Sequence, residues 1–125
     1  MRLLLDTHIF IWAVTDSRKL KAAARQRMQA AAEIYVSAAS IWEIAIKARL
    51  GKITGDPEQF ADAIAASGFI ELPVAARHAA RVAQLPLHHH DPFDRVLVAQ
   101  SLSEPLLLLT ADAVLTQYGE LVQLV

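Results

Sequence analysis

The sequence has 125 residues, 54% of them hydrophobic and 20% charged, with a formal net charge of −1 and no cysteine. That balance describes one globular domain over residues 1–125, too apolar for intrinsic disorder, and it excludes disulfide frameworks, zinc–thiolate sites and thiol catalysis. A chain so close to neutral lacks the broad positive field of a general nucleic-acid binder. Any contact with RNA must then rest on local Lys and Arg groups and on bound cations.

The opening segment, Arg2–Asp6, is apolar until it ends in a carboxylate, and it reads as a buried strand. It is not read as a signal peptide, because Asp6 and His8 interrupt the run and no clean small-residue cleavage site follows. No apolar stretch approaches the roughly 20 residues needed to cross a bilayer, so a soluble, cytoplasmic protein is expected. Thr7–Val14 is apolar on nearly every side and predicts a short helix. Lys19–Ala32 is rich in strong helix formers. Glu33–Ser37 predicts a second strand. Ser37–Leu50 is a helix stopped by Gly51, and Asp56-Pro57 and Gly68 bracket another at Pro57–Ser67. Phe69–Leu72 predicts a strand and Val74–Gln84 a helix that Pro86 ends. After the loop Leu87–His90, Asp91-Pro92 opens a helix through Phe93–Leu102. Leu106–Leu109 is an apolar strand, Ala111–Tyr118 a short helix and Leu121–Leu124 a last strand. Strands alternating with helices argue an α/β fold with a mostly parallel sheet covered by helices.

In such sheets, sites form at the carboxyl ends of the strands. Asp6 ends the first strand, and Asp112 lies just past the Leu106–Leu109 strand. Glu43 sits early in the helix after the second strand, and Asp94 in the first turn of the helix opened by Pro92. Four acids distant in sequence therefore map to one edge. Two carboxylates about 4 Å apart repel by about 4 kcal/mol at an effective dielectric near 20, so such a cluster either takes up protons or admits cations. Oxygen ligands of this kind suit Mg²⁺ or Mn²⁺, whose chemistry is phosphodiester hydrolysis by in-line displacement.

Each residue also has a structural reading. Asp6 suits a helix cap, though Asp-Thr-His after a buried strand is more than capping requires. Glu43 can pair with Lys47 four residues on. Ser40, Glu43 and Lys47 form a polar stripe on a helix otherwise made of Ile41, Trp42, Ile44, Ala45 and Ile46. A helix apolar nearly all round should be buried, so the stripe is expected to face an internal pocket. Asp91-Pro92-Phe93-Asp94 fits an N-cap with an acid at the third helical position. Asp91 is therefore assigned to capping, with an auxiliary place at the site, and Asp94 suits either the helix dipole or the site. Asp112 can likewise cap, with Thr110 as an auxiliary hydroxyl. His88-His89-His90 looks like a transition-metal site, but three consecutive side chains cannot all point at one ion. The run reads as an exposed loop that touches substrate or partner. Ile9, Phe10, Ile11 and Trp12 are consecutively apolar, while a helix has one buried face. Part of the run is expected to stay exposed, making Phe10 and Trp12 candidates for partner binding.

LLLDTHIFIW, SAASIWEIAIKARLGK, HHHDPFDRVLVAQSL and LLLLTADAVLTQYG, in this order, resemble the PIN domain, and most of all the VapC toxins of bacterial toxin–antitoxin pairs. The combination of WEIxIKxxxGK with HxDPFDRxLxAQ is the specific part. The resemblance implies a three-layer α/β/α sandwich and Mg²⁺- or Mn²⁺-dependent endoribonuclease activity. It implies that the family's four acids correspond to Asp6, Glu43, Asp94 and Asp112, as catalytic and metal-binding residues. It further implies a homodimer and silencing by a cognate VapB-like antitoxin whose tail covers the acidic pocket.

Two other α/β enzymes and switches fit less well. A haloacid-dehalogenase phosphatase would want a second Asp two residues after Asp6, where this chain has His8. A receiver domain would need a late lysine, and the last one is Lys52. The remaining alternative is a catalytically inactive PIN domain that only binds RNA or protein, against which the four intact acids argue.

Overall fold

The computed structural model describes residues 1–125. Arg2–Leu5 forms β1, in which Leu3, Leu4 and Leu5 are all fully buried. A strand inside a parallel sheet is covered on both faces, and its side chains alternate between them. Leu3 and Leu5 accordingly join a core with Phe10, Val36, Ile44 and Leu109, whereas Leu4 joins a second core with Leu97, Val98, Leu108 and Leu115.

The remaining elements are α1 (Thr7–Val14), α2 (Ala22–Ala30), β2 (Glu33–Ser37), α3 (Ala38–Arg49), α4 (Pro57–Ala66), β3 (Ile70–Leu72), α5 (Ala76–Arg81), α6 (Pro92–Ser103), β4 (Leu107–Thr110) and β5 (Val122–Leu124), with 3₁₀ turns at Val82–Gln84 and Ala113–Tyr118. The five strands form one sheet in the order β3-β2-β1-β4-β5, and every pairing is parallel. The first core sits under α1 to α4 and the second under α6 and the Ala113–Tyr118 turn, with α5 packed along α6. This is the three-layer α/β/α sandwich expected from the sequence. No helix is long and apolar enough to cross a membrane.

The chain moves outward from β1 through β2 to β3, then returns to the other side of β1 for β4 and β5. The topological switch therefore lies between β1 and β4, and the crevice beyond their carboxyl ends is where open α/β sheets bind ligands. Each β-to-α junction there is short and capped. Asp6 caps α1, Ser37 caps α3 through a bond from the Ala39 N–H to its Oγ (3.0 Å), and Asp112 caps the last 3₁₀ turn.

Some boundaries move for local reasons. The helix expected from Lys19 starts at Ala22, because Ser17 holds the preceding residues in a turn, its Oγ accepting from the Lys19 N–H (3.2 Å) and its carbonyl from Leu20 (3.2 Å). It ends at Ala30, since the Ala32 N–H has already turned to the Met1 carbonyl. The helix expected over Val74–Gln84 is a six-residue α-helix followed by a 3₁₀ turn. That expected over Ala111–Tyr118 is entirely 3₁₀ and begins after the Asp112 cap. Gly51, after α3, has φ +75°, a left-handed conformation that only glycine adopts without cost.

Candidate active site

The register of β1 on β4 builds the first part of the site. Leu5 pairs with Leu109, which brings Asp6 alongside Thr110. The Asp6 N–H continues the ladder to the Leu109 carbonyl (3.0 Å), and the Thr110 hydroxyl donates to Asp6 Oδ2 at 2.5 Å. Asp6 Oδ1 accepts the Ile9 N–H (2.9 Å) as the cap of α1. Asp6 is only 5% exposed. Burial pushes its pKa up, against the lowering effect of the Thr110 and Ile9 bonds.

Glu43 arrives from β2 and α3. It is 2% exposed and held at both oxygens, Oε1 by the Thr7 hydroxyl (2.6 Å) and Oε2 by the Lys47 ammonium (2.6 Å). Thr7 follows Asp6 directly, so this bond ties Glu43 to the end of β1. Ser40 Oγ lies 3.0 Å from the Thr7 hydroxyl oxygen and completes the buried chain. Ser40, Glu43 and Lys47 thus share one inward-facing stripe, while the ion pair expected along the helix also forms. Its hydrogen bond to Glu43 raises the Lys47 pKa, with the charges of Glu43, Asp91 and Asp94 adding to the effect.

The rest of α3 departs from the sequence reading. An apolar helix was expected to be buried all round, yet Trp42 is 63% exposed and Leu50 61%. Trp42 lies on the exposed side of α3 and packs edge-on against Phe93 of α6, 5.0 Å between ring centres.

Asp91 caps α6, its Oδ1 accepting from the N–H groups of Phe93 (2.8 Å) and Asp94 (3.2 Å). Asp94, in the first turn of α6, is strongly perturbed as well. Burial first, then the carboxylates of Asp91, Glu43 and Asp6, push its pKa from 3.8 up to about 7, while His89 opposes the rise. Asp94 therefore senses both Glu43 and Asp6, although the three lie on different helices and loops.

Asp112 completes the cluster from the loop after β4. Its backbone N–H donates to Thr110 Oγ1 (3.0 Å), and its Oδ1 caps Val114 (3.0 Å). With Asp6, His8 and Trp12 it lines a recess of about 420 Å³. His89 reaches the same place. Its Nε2 lies 3.1 Å from Asp112 Oδ2 and 3.6 Å from Asp94 Oδ2. The histidine run was read as an exposed loop, and for its middle residue that reading is corrected. The signal available in the sequence was its position two residues before the Asp91 cap, because the Asp91 N–H donates to His89 Nδ1 (3.0 Å) and turns the ring inward.

The apolar segment of α1 divides in a way that removes one candidate. Phe10 is fully buried, edge-on to Phe60 and Phe69. It sits one helical turn after Asp6, on the side of α1 that meets the sheet, and offers nothing to a partner. Trp12 is half-buried and lines both the acidic recess and an adjoining groove that runs past Lys19 and Lys21.

The PIN domain family model matches residues 3–121. No curated protein matches the sequence. Solved structures with a similar fold include VapBC2 from Rickettsia felis bound to a DNA fragment from its promoter, with TM-score 0.67, 15% identity, and coverage of 94% of this chain and 93% of the other. A toxin–antitoxin complex from Klebsiella pneumoniae has TM-score 0.63 and 19% identity over 93% of this chain and 88% of its own. FitAcB from Neisseria gonorrhoeae has TM-score 0.64 and 16% identity over 94% and 92%.

Proposed function

The chain belongs to the PIN domain family, and from that premise we propose that residues 1–125 form one nuclease domain that hydrolyses RNA with Mg²⁺ or Mn²⁺, as the toxin of a type II toxin–antitoxin pair. The observation that carries the proposal is the state of Asp94, whose carboxyl is pushed up to about 7 by burial and by three neighbouring carboxylates. A pocket that crowds negative charge to this degree is suited to hold positive charge. Its donors are carboxylate oxygens, the ligand type that hard divalent cations prefer.

Asp6, Glu43, Asp94 and Asp112 are the residues that would hold the metal. When bound, it supplies a Lewis acid for the scissile phosphate and for the attacking water. The chain's own residues prepare the site. Thr110 and the N-terminus of α1 fix Asp6, and Thr7 and Lys47 fix Glu43 at both oxygens. Lys47 also offsets part of the acidic charge, so the site does not repel a phosphodiester with its full formal charge.

The toxin role is supported by the likeness in fold to toxin–antitoxin proteins. In this reading the protein is cytoplasmic and a homodimer, and a VapB-like antitoxin silences it. The antitoxin docks on the groove beside Trp12, from which a basic side chain can reach Asp6 and Asp112.

The test is cleavage of total RNA by the purified protein, with the ends of the fragments mapped. Cleavage is expected with Mg²⁺ or Mn²⁺ and not in EDTA, nor with Asp6→Asn. RNA bound but left intact with either metal would point to a binding module instead.

A further inference from the structure

His89 stands against Asp94 and Asp112 of the acidic cluster, and the proposed chemistry gives it no task. Its placement is heavily determined. Its backbone N–H donates to the Tyr118 hydroxyl (3.0 Å), which also accepts from Arg95 Nη1 (3.0 Å). The Arg95 guanidinium in turn holds the carbonyls of Pro86 (2.9 Å) and Val82 (3.1 Å), and the His88 ring packs edge-on against Tyr118. The loop that carries His89 is thereby pinned to α6 and to the 3₁₀ turn that follows Asp112.

The ring's hydrogen bonds decide what it can do. Nδ1 accepts the Asp91 N–H (3.0 Å), so Nδ1 carries no proton. The proton of the neutral ring must then sit on Nε2, which lies 3.1 Å from Asp112 Oδ2 and donates to it. Geometry alone would allow a different reading, since one ligand atom each from His89, Asp94 and Asp112 lies within 4.8 Å of the others, as in a metal site. Coordination through Nε2 requires the proton to move to Nδ1. There it would face the Asp91 N–H, donor against donor.

We propose that His89 is a positioning residue that clamps Asp112 for cation binding and is not itself a ligand. Asp112 needs such a clamp. It stands on a loop with 41% of its side chain exposed, and its only other side-chain bond is the Val114 cap at Oδ1. A free carboxylate there would rotate about its side-chain bonds, and ordering it would cost binding energy. The Nε2–H bond fixes Oδ2 and leaves a lone pair on each oxygen, as outer-shell donors do for metal-binding carboxylates. The inference rests on the metal-dependent reading above.

The experiment titrates Mn²⁺ into the full chain and follows free Mn²⁺ by electron paramagnetic resonance. Circular dichroism verifies the fold of each variant. His89→Ala is expected to weaken Mn²⁺ binding at least tenfold, about 1.4 kcal/mol. His89→Gln keeps an N–H near the position of Nε2 and is expected within about threefold of wild type. In an Asp112→Ala background, His89→Ala should add less than about twofold, because the clamp has nothing left to hold. Unchanged affinity in His89→Ala overturns the proposal. So does a glutamine variant as weak as alanine, or a full additional loss in the Asp112→Ala background, either of which marks His89 as a direct ligand. A wild-type protein that binds no Mn²⁺ removes the metal-dependent reading as well, whereas tight wild-type binding that is indifferent to His89 removes the clamp alone.

Discussion

Replacing Asp94 by Asn should stabilise the metal-free protein while it abolishes cleavage. In the fold, burial and then Asp91, Glu43 and Asp6 raise the Asp94 carboxyl from 3.8 to about 7. Between those two values the folded protein keeps a proton that the unfolded chain has lost. Stability therefore falls as pH rises through this window and levels off above about 7. A rise from 3.8 to about 7 corresponds to at most about 4 kcal/mol. The Asp94 side chain is 20% exposed, and water and neighbouring groups relax around it, which brings the working figure to about 2 kcal/mol. Asn keeps the shape but gives up the charge–dipole contribution in the first turn of α6, about 0.5 kcal/mol.

The net gain is about 1–2 kcal/mol at pH 8, or roughly 4–8 °C in Tm for a chain of this size. The measurement is thermal unfolding of wild type and Asp94→Asn in EDTA at pH 8 and pH 5. At pH 5 the folded protein keeps the Asp94 proton that the unfolded chain, with its carboxyl at 3.8, has mostly lost, so the advantage should shrink to about a third of its size at pH 8. Saturating Mn²⁺ should then reverse the order at pH 8, because only the wild type retains the ligand. At a hundred times the dissociation constant the metal contributes about 2.7 kcal/mol. An Asp94→Asn protein less stable than wild type at both pH values, without metal, would refute the reasoning, since Asp94 would then be ionised and satisfied in the fold.

Asp6→Asn should lower cleavage by orders of magnitude with the fold intact by circular dichroism; full activity in this variant, or in EDTA, contradicts metal-ion catalysis. Asp91→Asn keeps a good N-cap, so thermal stability should change by less than about 0.5 kcal/mol and cleavage should persist; a loss equal to that of Asp94→Asn would place Asp91 among the ligands. Trp12→Ser should leave RNA cleavage in place and weaken antitoxin binding at least tenfold by calorimetry, about 1.4 kcal/mol; unchanged affinity would move the partner elsewhere. Phe10→Ala, by contrast, should cost about 3–5 kcal/mol of stability in denaturant unfolding, as expected of a fully buried ring.

The alternation of strands and helices was legible because each carries its own signal. Leu3, Leu4 and Leu5 are apolar without a break, as in a strand covered on both faces, and Asp56-Pro57 and Asp91-Pro92 mark helix starts where the chain has them. Long-range packing was much less legible. Nothing in Ile9-Phe10-Ile11-Trp12 says which residue meets Phe60 and Phe69, because those rings come from α4 and the segment before β3. Nor does anything in Ile41–Leu50 say that Trp42 stays exposed and meets Phe93 of α6. His89 was missed for a related reason. Its direction depends on the Asp91 N–H nearby and on Tyr118 and Arg95 further away, and a loop offers no period from which to read direction.

The choice between cap and site, which the sequence posed for Asp6, Asp91 and Asp112, was not a true alternative. A helix that starts directly after a parallel strand has its N-cap at the carboxyl edge of the sheet, which is also where ligands bind. The same residue can serve both purposes because a carboxylate has two oxygens. Asp6 gives Oδ1 to the Ile9 N–H, and its Oδ2, held by Thr110, faces the cluster. Asp112 gives Oδ1 to Val114 and presents Oδ2 to His89. Glu43 solves the same problem with side chains, Thr7 on one oxygen and Lys47 on the other. Asp91 differs, since its Oδ1 takes both the Phe93 and Asp94 N–H groups and no bond directs Oδ2 toward the other acids. Capping through one oxygen therefore does not count against a ligand role. What separates these residues is whether the second oxygen is held by a further donor, as it is in Asp6, Glu43 and Asp112 and is not in Asp91.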